Sequence, residues 1–259
     1  MTTTQQPPTG TAPAPTTPPS PMDRSTRRLI VTIGSVLAVL IVLALAVPAL
    51  SRLLESTERT SHALPADLTS LTVDSNVGDI EVRAVGPGEV PGAVATVRSG
   101  LAAAEADVVT TGASATLSDT CRNRWWENCS VQWEVLVPAD AAVTVDSAVG
   151  DITVANLAGT LSVNSSVGSL TATGLRSDSV TARSSVGDVT LDLVTAPSQV
   201  RASSSTGDLT VTVPADDTTY LVTTSTSVGD VRNGVGSDNA STRTIDVRTS
   251  VGDITLRRS

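Results

Sequence analysis

Across residues 157–180 the apolar side chains fall at Leu157, Leu161, Val163, Val167, Leu170, Leu175 and Val180, with Ser, Thr, Asn and Gly between them. The alternation in Leu161-Ser-Val163 and Leu170-Thr-Ala172 is the period of a strand with one face buried. A Val-Gly-Ser triplet interrupts it, and the same kind of interruption recurs along the chain. Versions of Ser-x-Val-Gly-Asp-Ile stand at 75–80, 147–152, 165–170, 184–189, 204–209, 226–231 and 249–254. Their glycines are Gly78, Gly150, Gly168, Gly187, Gly207, Gly229 and Gly252, and the last six follow one another at intervals of 18 to 23 residues. A unit of that size cannot bury its own apolar face, so it must stack on its neighbours. The pattern predicts an all-β fold: a β-solenoid, like a parallel β-helix, of about 18–23 residues per coil. Each coil reads as strand, corner, strand and return loop, stacked on the one before it. Val and Ile ladders are expected inside, with Ser and Thr ladders facing water.

Glycine at the corner permits positive φ or close approach to a neighbour. The residue after it is acidic in six copies, namely Asp79, Asp151, Asp188, Asp208, Asp230 and Asp253, with Ser169 in the other. Aspartate can close such a corner by bonding its own backbone two residues on. Stacked in register, these carboxylates recur about 4.8 Å apart, so hydrogen bonds or a cation must offset their repulsion. Calcium favours such oxygens, but the repeat is not the Gly-Gly-x-Gly-x-Asp nonapeptide of calcium-binding β-rolls. Turn chemistry is the expected role, and no metal or other cofactor is assigned. The 72 residues from Gly78 to Gly150 lack the corner and amount to three or four coils by arithmetic. Residues 94–100, 106–117 and 131–140 still alternate there. The last coil ends with Arg257 and Arg258, which suit a terminal strand guarded against pairing.

A different hydrophobic pattern precedes the repeats. Leu29 to Leu50 is 22 residues without a charge, and about 20 apolar residues span a bilayer core. The reading is a single transmembrane helix at 29–50. The alternative is a cleaved secretory signal, for which Ala44-Leu45-Ala46 offers a small-residue site but the apolar run is long. Residues 1–28 hold seven of the 14 prolines and read as a disordered tail. Residues 51–66, with the lone His62, read as a solvated juxtamembrane stalk, and 67–259 as the solenoid domain. Arg24, Arg27 and Arg28 before the span outnumber Arg52 and Arg59 after it. That bias puts the N-terminus in the cytoplasm and the domain outside the plasma membrane.

Composition sharpens this picture. There is no Phe, one Tyr and three Trp, as a narrow core of stacked aliphatic residues allows. Net charge is −9, with no Lys, which argues against nucleic acid as a partner. All three tryptophans lie in or beside the segment from Cys121 to Cys129. Two readings of this segment stay open. It is a disulfide-pinned loop whose rings pack on the solenoid flank, or it presents Arg122, Arg124, Trp125, Trp126 and Trp133 to a partner such as a cell-wall glycan, an envelope protein or lipid headgroups. A disulfide persists only in an oxidising compartment, in agreement with the orientation above. Two cysteines without a nearby His are too few for zinc. The carboxylates are periodic rather than paired at a cleft, aromatics are scarce, and no nucleophile elbow or phosphate-binding loop is present. No catalytic residues are assigned, and the chain is read as a non-enzyme.

The repeated corners, the Val-Pro-Ala-Asp at 137–140 and 213–216, and the N-terminal span with its short stalk resemble a bacterial family of candidate adhesins with a β-strand repeat, known as DUF4097. The resemblance covers residues 68–259. It implies a β-solenoid exposed outside a bacterial membrane, tied in some members to envelope-stress systems, and offers no catalytic residue to carry over. The expected function is a membrane-anchored, adhesin-like or envelope-binding scaffold. The alternative is an envelope-stress sensor or regulator acting through a membrane or cytoplasmic partner.

Overall fold

The computed structural model describes residues 33–39, 41–42, 56–99, 104–121 and 129–259. The chain forms two units, Met1–Ala49 and Leu50–Ser259. In the first, residues 33–39 and 41–42 are helical, and no helix among the described residues is long and apolar enough to cross a membrane. The tail 1–28 and the remainder of the 29–50 stretch lie outside the described residues.

The second unit is built of strands. Strand β1 (Ser56–Ala63) comes first, then a coil of β2 (Ser70–Val77) and β3 (Ile80–Ala84). β4 (Gly92–Ser99) and β5 (Ala104–Thr111) follow, then β6 (Ser114–Cys121) and β7 (Cys129–Val137). Regular coils come next: β8 (Ala142–Val149) with β9 (Ile152–Ala155), β10 (Leu161–Val167) with β11 (Leu170–Leu175), and β12 (Ser179–Val186) with β13 (Val189–Leu193). The last are β14 (Gln199–Thr206) with β15 (Leu209–Val213), β16 (Leu221–Ser225) with β17 (Val231–Asn233), and β18 (Thr244–Val251) with β19 (Ile254–Arg258).

Each coil gives one strand to each of two facing sheets. One sheet runs β1-β4-β7-β3-β9-β11-β13-β15-β19-β17 and the other β16-β18-β14-β12-β10-β8-β2-β6-β5. Coil-to-coil pairing is parallel and in register, so like residues align. In the second sheet Leu71, Val143, Leu161, Val180, Val200 and Ile245 form one buried ladder. In the first, Ile80, Ile152, Leu170, Val189, Leu209 and Ile254 form its counterpart. These ladders belong to one continuous apolar core, which is the criterion for a unit that folds alone.

The stacking order departs from the order along the chain at both ends. β2/β3 lies between the β6/β7 coil and β8/β9, and β18/β19 lies between β14/β15 and β16/β17. Coils therefore do not simply stack each on the last, and the final coil is not the end of the stack. Its Arg258 does not guard an edge: it donates to the carbonyls of Pro214, Asp216 and Thr218 and ties down the loop after β15. The stretch between Gly78 and Gly150 also differs from three or four degenerate coils. It supplies one coil, β6/β7, while β4 and β5 turn back to pair antiparallel with β7 and β6. The segment read as a stalk contributes β1, paired antiparallel with β4. His62 sits in that strand with its Nε2 enclosed and without a hydrogen-bond partner, so it is not a solvated linker residue.

Candidate functional site

The corner is the unit that repeats, so the candidate surfaces follow from it. All seven corner glycines have φ between 139° and 145°. A Cβ on any of them would overlap a backbone carbonyl oxygen one coil away: that of Val131 for Gly78, and of a corner glycine for the rest. The serine opening the motif points inward. Ser75, Ser147, Ser165, Ser184 and Ser204 are buried, as is Thr249. Ser204 Oγ donates to the Gly187 carbonyl at 3.1 Å and Thr249 Oγ1 to the Gly207 carbonyl at 3.2 Å. The motif valine faces out: Val149, Val167, Val186 and Val251 are 46–50% exposed. Strict alternation puts Ser165 inside with Leu161 and Val163, as observed, and would put Val167 inside as well. The chain bends after Ser165, which leaves the valine on the outer side of the corner.

The aspartates reach across coils rather than along their own turns. Asp79 Oδ1 accepts from the Asp151 N–H at 3.0 Å, and Asp151 Oδ1 from the Ser169 N–H at 2.8 Å. Asp188 accepts from Asp208, Asp208 from Asp253, and Asp253 from Asp230, each at 2.8 Å. Five of the six carboxylates thus meet a backbone dipole of a neighbouring coil, and Asp230 in the outermost coil meets Arg232 instead, which counters repulsion along the row. The Asp230 N–H, with Arg232 beside it, holds the Asp253 carboxyl below the usual carboxylate range. Among the described residues no group of His, Cys, Asp and Glu is placed to hold a metal ion.

The β6/β7 coil replaces this corner. One residue past the last paired position of β2 with β6, Asp119 takes the place of the buried serine, and Trp133 pairs with Ile80 in the isoleucine ladder. The two are 14 residues apart instead of five, so nine extra residues are inserted. A Cys121–Cys129 disulfide closes the insertion, with the Cα atoms 5.8 Å apart. Trp133 is fully buried and its Nε1 donates to Asp119 Oδ2 at 3.1 Å. It belongs to the core and is not the exposed contact residue that the sequence suggests: the ring takes the ladder position that Ile, Leu or Val fills in the other coils. Arg122, Arg124, Trp125 and Trp126 lie outside the described residues. Asp119, which sequence reasoning did not single out, also accepts from the Asn76 N–H at 3.0 Å. Both donors would be orphaned without it, and a hydrogen bond to a charged group contributes about 1.5–3 kcal/mol. Its signal was its register, equivalent to the motif serine, but only the pairing reveals that register.

A hollow of about 310 Å³ lies against Glu81, Arg83, Val94, Glu134 and Leu136, beside the loop after β3. That loop is held by a two-pronged Arg83–Glu89 pair at 2.7 and 2.8 Å and by the Gly86 N–H on Glu89. The pair and that N–H lower the Glu89 carboxyl to about 2.

Comparison with known families matches residues 55–257 to Toastrack DUF4097. The chain belongs to the Toastrack DUF4097 family. The match takes in β1, so the Toastrack domain begins within the segment read as a stalk. Among solved structures the chain is similar to a candidate cell adhesion protein from Clostridium sporogenes, 14% identical, covering 79% of this chain and 100% of that one, with a TM-score of 0.48. A candidate adhesin from Bacteroides fragilis is 15% identical over 79% and 97% of the two chains, with a TM-score of 0.43. A candidate lipid-binding protein from Parabacteroides distasonis is 11% identical over 79% and 97%, with a TM-score of 0.32. Likeness at this level carries no argument about what this Toastrack domain binds. No curated protein matches the chain.

Proposed function

We propose that this Toastrack protein is a non-enzymatic, adhesin-like scaffold that binds a component of the bacterial cell envelope. In this reading the stretch 29–50 anchors it in the plasma membrane, with the N-terminus in the cytoplasm and the solenoid outside. The observation that carries the reading is the Cys121–Cys129 disulfide closing a nine-residue insertion in a coil that lacks the corner glycine. A disulfide fits an oxidising compartment. The insertion gathers Arg122, Arg124, Trp125 and Trp126, residue types that dominate binding energy at interfaces. The non-enzymatic part is supported by the corner carboxylates, most of which are occupied by backbone N–H groups of the next coil.

The test is binding of the purified Leu50–Ser259 unit to isolated cell envelopes, beside a Trp125→Ala/Trp126→Ala variant. The expected result is binding by the wild type and its loss in the variant with an unchanged melting temperature. No binding by either form would overturn the scaffold reading in favour of a regulator that signals through a membrane or cytoplasmic partner.

A further inference from the structure

The outward positions of the β16–β5 sheet follow the repeat and are mostly small and polar, as in the row Thr72, Thr144, Ser162 and Thr181. Three neighbouring positions break that rule. Arg183 on β12 and Arg248 on β18 flank Ser203 on the intervening β14 in register, and Arg201 lies two residues before Ser203, opposite Asp246. Strand spacing sets Arg183 and Arg248 about 4.8 Å either side of Ser203, and Arg201 about 6.6 Å along the strand from it. Together with Ala202 and Asp246 they line a hollow of about 180 Å³. Repeat duplication does not produce this cluster, since the equivalent positions of β10 are Ser162 and Asn164 and those of β8 are Thr144 and Asp146.

The guanidinium groups are only partly engaged. Arg248 Nε donates to Asp246 Oδ1 at 2.8 Å, which leaves its two terminal nitrogens without an acceptor among the described residues. Arg201 donates to the neutral Gln199 amide at 2.7 Å. Arg183 donates to no group among the described residues. One carboxylate thus faces three cations, in a chain whose net charge is −9. The next carboxylate along the row, Asp146, accepts from Asn164 and lies two strands from Arg183. Planar forks with free donors that line one hollow with a serine suit the several oxygens of a phosphate, each fork taking two of them.

We propose that Arg183, Arg201 and Arg248 form a phosphate-binding site on the sheet face, with Ser203 at its floor. Arg183 and Arg248 grip one phosphate group from opposite sides and Arg201 balances its remaining charge or meets the next phosphate of a chain. The site is separate from the Cys121–Cys129 insertion, so it stands or falls apart from the function proposed above. The phosphate comes from an anionic lipid headgroup or from a soluble phosphodiester polymer.

The test uses the Leu50–Ser259 unit with four probes at fixed low salt: inorganic phosphate, poly(glycerol phosphate), phosphatidylglycerol vesicles and phosphatidylcholine vesicles. The comparison is an Arg183→Ser/Arg201→Thr/Arg248→Thr variant, which restores the small polar side chains usual on this face, and an Arg183→Lys variant. Binding of phosphate and of at least one phosphate-rich probe is expected, weakening about 30-fold or more in the triple variant and about threefold in Arg183→Lys, with unchanged melting temperature. Retention of the polymer alone or of phosphatidylglycerol vesicles alone supports the site and identifies its source of phosphate. Equal binding by wild type and triple variant, or no binding of any probe by the wild type, overturns it. So does poly-glutamate, run as a fifth probe, binding as tightly as the phosphate polymer, which would make the patch a general anion attractor.

Discussion

Each corner glycine lies against a carbonyl oxygen one coil away, so a single methyl group at that point separates two coils as well as straining one turn. Gly187→Ala is expected to lower unfolding free energy by about 3 kcal/mol or more, because positive φ and steric overlap act together. Gly88→Ala shares positive φ but meets nothing within 4 Å, and its cost should be about 1 kcal/mol. Urea unfolding of the two variants beside the wild type checks this, and equal costs would mean that the coils yield easily. The motif residues around the glycine were legible to different degrees. Glycine and isoleucine announce their roles by type. The inward serine and outward valine run against their hydrophobicity: the serine keeps the alternation of its strand and the valine lies past the bend, so position and not the side chain decides which way each points.

Among the elements, the informative case is the coil that comes last in the chain but sits inside the stack. The Ile254 and Gly252 N–H groups bond the carbonyls of Asp230 and Val228 in the outer coil, while the Leu209 and Gly207 N–H groups bond Asp253 and Val251 from the inner side. A coil bonded on both sides gains two interfaces, and the outermost has one. Hydrogen exchange followed by residue should find Val247 and Leu256 protected about as well as Ala202 and Val211, with Leu221 and Val231 exchanging first. Fraying of β19 ahead of β17 would contradict the inserted order. The repeat predicts that coils exist but not their order, because every corner carries nearly the same sequence and any coil could pair with any other. The β4 and β5 strands pose the same difficulty: their alternation marks strands, but parallel and antiparallel partners look alike from one strand.

For the molecule as a whole, the acidic surface makes low pH the informative stress. Glu89 is held at about 2 by Arg83 and the Gly86 N–H, below the usual range for a carboxylate. Its contribution is therefore complete above about pH 4.5 and fades as pH falls toward its folded value. The pair is solvent-exposed, so the effect is small: Glu89→Gln should melt about 2 °C lower than the wild type at pH 7. That gap should close as pH is lowered from 4.5 toward 2. A gap that stays constant across that range would show that Glu89 acts through packing alone. Much of the candidate site follows the same division. The Cys121–Cys129 insertion is visible in the sequence as a cluster of rare residues. The assignment of Trp133 to the core, and its bond to Asp119, requires the register between coils.

Sequence alone determined that this chain is a β-solenoid with glycine corners, a family member by its repeated motif, and a chain with one long apolar stretch ahead of its domain. Those conclusions rest on periodicity and residue type, which are local and need no partner. Only the tertiary structure decided the coil order, the two antiparallel returns, the cross-coil aspartate bonds and the meeting of Arg183, Arg201 and Arg248. Each depends on which coil lies next to which, a choice made by packing between segments far apart in the chain.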